Sequence, residues 1–266
     1  MKIDGINLGG QQDADQFNSI IISVNKHGII RLTDIETGER IVDNLPIDSQ
    51  IIPHANSVCF GNEKYEEKDD FPVVYVNAYN NRELPLGVCY VIRIMQNAGE
   101  YSATIVQTLK IGFTDDSQKW PSASQSRPFG NFVVDKEKSL IFAYVPDYKI
   151  GKLRFYAFEL PSLSSGDEVL FSFDDVRLYF ETELVNWPQG CIARNGKLFL
   201  LFGWQDIKYL IIIDANNTMI EHSFDFYENG FDFTLEPEAI WIYKDYLYFT
   251  LSGYVYRGVL VVQSEE

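Results

Sequence analysis

Four proline-marked segments recur along the chain and share one local pattern. They are IPHANSVCF from residue 52, RPFGNFVVD from 127, WPQGCIAR from 187 and EPEAIWIY from 236. Each contains a proline, a few small or polar residues, a short apolar run, a turn and a second apolar run. Such repetition is typical of architectures in which every unit is one small sheet. The stretch at residues 9–45 follows the same pattern without the proline, so we count five units.

The strands within a unit are clearest in the fourth one. Residues 191–194, KLFLLFG, YLIIIDA and IEHSFDF read as four strands, and the favoured hairpin dipeptide Asn195–Gly196 separates the first two. The fifth unit supplies only three strands, AIWIY, YLYFTL and YVYRGVLVVQ. A spare apolar segment, KIDGINL, precedes the first unit. We therefore predict that this N-terminal strand completes the last sheet and closes a ring.

Five sheets of four strands in a closed ring form a β-propeller. We predict an all-β fold, a five-bladed propeller of four-stranded antiparallel blades, in a single domain over residues 1–266. The predicted blades are 9–45, 53–111, 127–174, 187–226, and 236–263 completed by 3–8. An aromatic content of 15% favours strands over helices. A β-sandwich or two stacked domains are the alternatives, but neither explains why the missing strand matches the spare one.

Charge and composition narrow the classes of partner. The formal net charge is −16, whereas nucleic-acid binding depends on clustered Lys and Arg, so we expect no nucleic-acid partner. No apolar stretch is long enough for a membrane span, and the N-terminus lacks the apolar core of a signal peptide. We expect a soluble monomer, either cytoplasmic or exported with its signal removed. Cys59, Cys89 and Cys191 lie among apolar neighbours and are predicted to be buried thiols without metal-binding spacing.

Polar residues next to the prolines indicate a common site. Inner strands of a propeller begin at one mouth of the central channel, so aligned positions from different blades converge there. Glu238 aligns with Gln189, Phe129 and His54, and Gln11 is the expected member from the first unit. The predicted ligand-binding residues are Gln11, His54, Asn56, Arg127, Asn131, Trp187, Gln189, Glu236 and Glu238.

The chemistry of the Glu236–Pro237–Glu238 segment has three interpretations. Two carboxylates on one side of an extended strand can bind a cation, share a proton as an acid and base, or form a structural network with Arg127 or His54. We predict no cofactor and no resident metal, with a divalent cation as the open alternative. No catalytic residue is assigned, because elbow, zinc-protease and phosphate-loop motifs do not occur.

The chain resembles the β-propeller superfamily along essentially its whole length. The segments GGQQD, PHANSVCFG, WPQG and EPEAI resemble the Gln-Gly, His-x-Asn and Glu-Pro-Glu signatures of bacterial and phage five-bladed propellers, including receptor-binding and teichoic-acid-related domains. Gln12 stands where the first signature has glycine. The resemblance implies recognition of a cell-surface polymer, with phosphodiester cleavage as a further implication.

We therefore expect a non-catalytic propeller that binds a glycan or other small polar ligand at the channel mouth. A hydrolase or lyase acting on a cell-surface polymer and a platform for protein partners are the alternatives. The fold does not choose among these functions.

Overall fold

The computed structural model describes residues 2–47, 54–78, 87–111, 131–147, 151–183, 187–204, 207–232 and 234–258. These residues form strands and two short 3-10 helices, Leu163–Ser165 and Phe173–Asp175. The strands are β1 (Lys2–Asn7), β2 (Gln11–Phe17), β3 (Ile20–Asn25), β4 (Ile29–Asp34), β5 (Arg40–Pro46), β6 (Val58–Phe60), β7 (Val74–Asn77), β8 (Gly87–Asn97), β9 (Glu100–Ile111), β10 (Asn131–Asp135), β11 (Leu140–Asp147), β12 (Lys152–Glu159), β13 (Glu168–Phe171), β14 (Leu178–Glu183), β15 (Pro188–Arg194), β16 (Lys197–Trp204), β17 (Ile207–Asp214), β18 (Met219–Asp225), β19 (Pro237–Tyr243), β20 (Tyr246–Leu251) and β21 (Tyr254–Arg257).

Five antiparallel sheets confirm the predicted five-bladed propeller. Their strand orders, from the channel outward, are β2-β3-β4-β5, β6-β7-β8-β9, β10-β11-β12-β14, β15-β16-β17-β18 and β19-β20-β21-β1. The N-terminal strand β1 pairs with β21 and completes the fifth blade, as the strand count predicted. The inner hairpins close through tight turns, including Asn195–Gly196, where both residues have positive φ.

The second blade carries a fifth strand that the repeat pattern did not indicate. After β12, the chain crosses to the neighbouring blade and lays β13 parallel to β9. Gln107 on β9 holds this crossover by donating hydrogen bonds to the carbonyls of Ser162 and Gly166. The outer strand of the third blade is consequently β14, which lies after residue 174, where we expected that blade to end.

The blades pack through apolar side chains that alternate along their strands. Large aromatic side chains are fully buried, among them Trp241, Tyr144 and Phe155. All three cysteines are buried and form no disulfide, and burial raises the pKa of their thiols. None of the helices in the described ranges has the length and apolar character needed to cross a membrane.

Candidate functional site

The innermost strands β2, β6, β10, β15 and β19 define two ends of the channel. Asp13 on β2 accepts a hydrogen bond from the backbone N–H of Val58, and Asp15 accepts one from Phe60, so β2 and β6 run in the same direction. We call the end at which the five inner strands begin the start face. The opposite end, where those strands finish, is the end face.

Carboxylate and amide groups from three blades meet at the start face. Gln12 on β2 donates from Nε2 to Glu238 Oε2 on β19 at 3.4 Å. Gln189 on β15 donates from Nε2 to Glu236 Oε1 at 3.0 Å and to the Gly203 carbonyl at 2.9 Å. The predicted convergence of Gln189, Glu236 and Glu238 is therefore seen in their contacts, and Gln12 joins them.

A shared backbone irregularity presents these side chains. The strand register shifts between Gln11 and Asp13 on β2, between Pro188 and Cys191 on β15, and between Pro237 and Ile240 on β19. The residues within the three irregular segments include Gln12, Gln189 and Glu238. A bulge of this kind turns a side chain away from the regular alternation of a strand, and bulges are common beside functional sites.

The electrostatics of the two glutamates differ from those of exposed carboxylates. Burial, reinforced by the neighbouring charge of Glu236, raises the pKa of Glu238 to about 8. Burial also raises the pKa of Glu236, although nearby Lys208 and the hydrogen bond from Gln189 oppose this shift. At neutral pH Glu238 is consequently mostly protonated, and its carboxyl group can donate a hydrogen bond as well as accept one.

An asparagine cluster occupies the beginnings of the second and third blades. Asn56 and Asn77 each donate from Nδ2 to Asn131 Oδ1 at 3.0 Å. The Asn77 side-chain oxygen accepts from the backbone N–H groups of Asn56 and Ser57. All three asparagines are buried. These contacts tie the two blades together, so Asn56 and Asn131 have a structural role, and their ligand-binding role stays a prediction.

The other predicted site residues take varied positions. Gln11 is buried and accepts a hydrogen bond from Ser23 Oγ, so Gln12 rather than Gln11 contacts Glu238. His54 is half-buried and has a φ of 53°. The Trp187 side chain is exposed, immediately before β15. Arg127 and Phe129 lie outside the described residues.

Sequence reasoning missed Gln12, Asn77 and Lys208. Gln12 was missed because the bulge in β2 shifts the alignment of this strand with the other inner strands by one residue. Asn77 lies at the end of β7 and Lys208 on β17, neither of which is an inner strand. The Gln-Gln pair was the available clue for Gln12, whereas no local pattern marks the other two residues.

Between the two faces, the inner strands β2, β15 and β19 approach one another closely. Asp13 is fully buried there, and burial raises its pKa well above the ordinary range. A Cβ atom added to Gly190 would overlap the Glu238 carbonyl oxygen and would lie 2.6 Å from Asp13 Oδ1. Three inner strands thus approach too closely for a side chain at position 190.

The acidic, histidine and cysteine side chains of the described residues do not form a metal site. In these ranges no cluster of three or more His, Cys, Asp or Glu side chains is arranged to hold a metal ion. The start face brings together the carboxyl groups of Glu236 and Glu238, and the divalent cation left open by the sequence stays untested there.

Comparison with known proteins identifies the fold. No protein-family model matches the chain, and no curated protein sequence matches it. The structure is similar to glutaminyl cyclase of Myxococcus xanthus, with a TM-score of 0.51 and 9% identity over 94% of this chain and 89% of that one. It is also similar to a protein of Thermus thermophilus described as an oxidoreductase (glucose dehydrogenase), with a TM-score of 0.51 and 9% identity over 97% and 98% of the two chains. At this identity the likeness shows the propeller fold alone.

Proposed function

We propose that this propeller binds a neutral, hydroxyl-rich ligand, a glycan or similar small polar molecule, at its start face. The proposal rests on the carboxyl groups of Glu236 and Glu238 and the amide groups of Gln12 and Gln189, which come from three blades and meet at the start face. The carboxyl group of Glu238 is protonated at neutral pH. Such a group offers both a donor and an acceptor. Convergent polar groups on a rigid scaffold are what a small-ligand site requires.

The protonation state of Glu238 supports a neutral ligand over a metal ion. A metal must bind deprotonated carboxylates and would have to displace the proton from Glu238. A sugar hydroxyl can instead accept from the protonated oxygen and donate to the other one. The exposed Trp187 ring, two residues before Gln189, offers an apolar face for a sugar ring.

A thermal-shift screen against neutral glycans and polyols tests this proposal, because a ligand that binds the native state raises the unfolding temperature by mass action. We expect a stabilising ligand whose affinity falls about twofold to tenfold in Trp187→Ala. Tyr227→Ala is the matched control, since Tyr227 is an exposed aromatic residue beyond the outer strand β18.

Glu238→Gln separates hydrogen bonding from ionisation at the same site. Gln keeps one donor and one acceptor, so we expect binding at pH 7 to persist and its pH dependence near pH 8 to disappear. If no neutral ligand stabilises the protein, or if Trp187→Ala and Tyr227→Ala behave alike, the proposal fails.

A hydrolase acting on a polymeric glycan is a second candidate, and the pKa of Glu238 favours it specifically. A carboxyl group protonated near pH 7 can act as a general acid toward a leaving oxygen. Once a ligand is found, turnover that is lost in Glu238→Gln while binding remains would support this function. Equal turnover in both proteins would exclude Glu238 as the acid.

A further inference from the structure

The end face contains a cavity of about 290 Å³ on the side of the propeller opposite Glu238. It lies where β2, β15 and β19 finish and beside the turn after β10. Its volume is near the lower limit of the roughly 300–1,000 Å³ typical of ligand clefts, which suits a small molecule. Its lining residues include none of the start-face residues Gln12, Gln189, Glu236 and Glu238, so this cavity is distinct from the start face.

Both signs of charge line the cavity. Its cationic residues are Lys136, Arg194 and Lys244, and its acidic residues are Asp15, Glu137 and Asp245. Ile192, Ala193 and Ile242 provide an apolar wall. The whole chain has a net charge of −16, so equal numbers of cationic and acidic residues around the cavity differ from the charge of the average surface. This balance favours a ligand that carries one charge of each sign over a simple anion.

Two of the three cations are already paired at short distances. Lys136 Nζ lies 3.0 Å from Asp15 Oδ2, a carboxylate that is itself buried and also accepts from the Phe60 backbone N–H. Lys244 Nζ contacts Glu36 Oε1 at 2.6 Å. These two pairs hold the ammonium groups of Lys136 and Lys244 in place beside the cavity.

Within the described part of the chain, the Arg194 guanidinium makes one ion pair and no shorter hydrogen bond. Its ion pair with Asp245 is long, at 3.6 Å, and the Asp245 side chain is 87% exposed. A guanidinium group has five N–H donors in a planar fork that matches a carboxylate. An incoming carboxylate can therefore bind Arg194, and an ammonium group on the same ligand can bind Asp245 or Glu137.

We propose that the end-face cavity is a binding site for a small zwitterion of the α-amino acid class, with Arg194 holding the carboxylate and Asp245 with Glu137 holding the ammonium group. The apolar wall then receives the side chain. The opposed charges of the ligand match those of the rim, so neither partner buries an uncompensated charge.

The test is a calorimetric titration of the full chain with individual L-amino acids up to about 10 mM, at pH 7 and low salt. We expect at least one amino acid to bind and Arg194→Gln to weaken it about tenfold or more. Arg177→Gln serves as the matched control. Arg177 is an exposed arginine of the third blade, where it pairs with Glu159. Far-UV circular dichroism checks that each variant is folded.

Asp245→Asn tests the ammonium contact without disturbing the turn. Asp245 has a φ of 62°, a conformation that Asn also tolerates well. The variant should lose affinity for the amino acid, because the ammonium group of the ligand loses its contact with Asp245. It should keep its affinity for acetate or propionate, because Arg194 is freed from its ion pair.

Four results would overturn the proposal, of which three concern the end face itself. They are the absence of binding by every amino acid, unchanged affinity in Arg194→Gln, and binding of acetate as tight as that of the amino acid. Loss of binding in Glu238→Gln but not in Arg194→Gln would also overturn it, by assigning the ligand to the start face. The outcome for glycan binding at the start face does not depend on these results for the end-face cavity.

Discussion

Glu238 lies in surroundings that favour its neutral form, and this has a consequence for stability. Its folded-state pKa of about 8 lies above the ordinary value of 4.5. Between these two pH values the folded chain keeps a proton that the unfolded chain releases. The free energy of unfolding therefore falls as pH rises through this window and levels off above about pH 8.

Glu238→Gln removes this contribution. We expect the variant to be more stable than the parent above pH 8 by about 2 to 5 kcal/mol, and the two to converge toward pH 5. Urea denaturation between about pH 5 and 9 measures the difference. Glu100→Gln, at the exposed first residue of β9, is the control and should leave the pH profile unchanged. Parallel profiles for parent and Glu238→Gln would show that Glu238 is ionised at neutral pH.

Gly190 lies where β2, β15 and β19 approach one another closely. The contacts that an added Cβ would make with Glu238 and Asp13 involve backbone and a buried carboxylate, which have little freedom to move. We expect Gly190→Ala to lower the free energy of unfolding by about 2 to 3 kcal/mol through overpacking.

Gly258→Ala is the matched control for that substitution. A Cβ atom at position 258 would meet its nearest neighbours at 3.8 and 4.0 Å, which is ordinary van der Waals contact. Equilibrium denaturation of both variants provides the comparison. Similar stabilities would mean that the inner strands separate more readily than the structure indicates.

The sequence predicted individual site residues where a proline gave the alignment. Glu238 and Gln189 each follow a proline at the beginning of an inner strand, so their shared position was visible. Gln12 has no such proline, and the bulge in β2 moved the expected position by one residue. Lys208 approaches Glu236 from the neighbouring blade through tertiary packing, which local sequence does not encode.

Among the strands, β1 is the one on which completion of the fifth blade depends. Ile6 is its buried residue, 6% exposed, whereas Asp4 on the same strand is exposed. We expect Ile6→Ala to lower the free energy of unfolding by about 2 to 4 kcal/mol and Asp4→Ala to have little effect. Chemical denaturation monitored by intrinsic fluorescence measures both. Equal effects would indicate that β1 contributes little packing to the blade.

Strand number and blade closure were predictable from the sequence because each blade repeats the same apolar runs and turns. The fifth strand of the second blade was not, since β13 pairs with β9 across a blade boundary. Its sequence, EVLF, resembles any other short apolar run. Parallel pairing with a distant strand leaves no periodic pattern from which to recognise it.

The net charge of −16 acts across all five blades and opposes compaction through repulsion among carboxylates. Salt screens this repulsion, so raising NaCl at pH 7 should raise the unfolding temperature. Differential scanning calorimetry between about 10 mM and 500 mM NaCl covers the range in which the Debye length shortens from about 30 Å to below 10 Å. At pH 4.6, near the isoelectric point, the same addition should change little.

The pairing of β1 with β21 also has a consequence for the order in which the molecule assembles. Lys2 lies opposite Tyr256, so the contact that closes the ring joins residues near the two ends of the sequence. Contacts of such long sequence separation form slowly. During synthesis the first strand emerges early but must wait for its partner until the last blade is made. We therefore expect the ring to close only after β21 has been made.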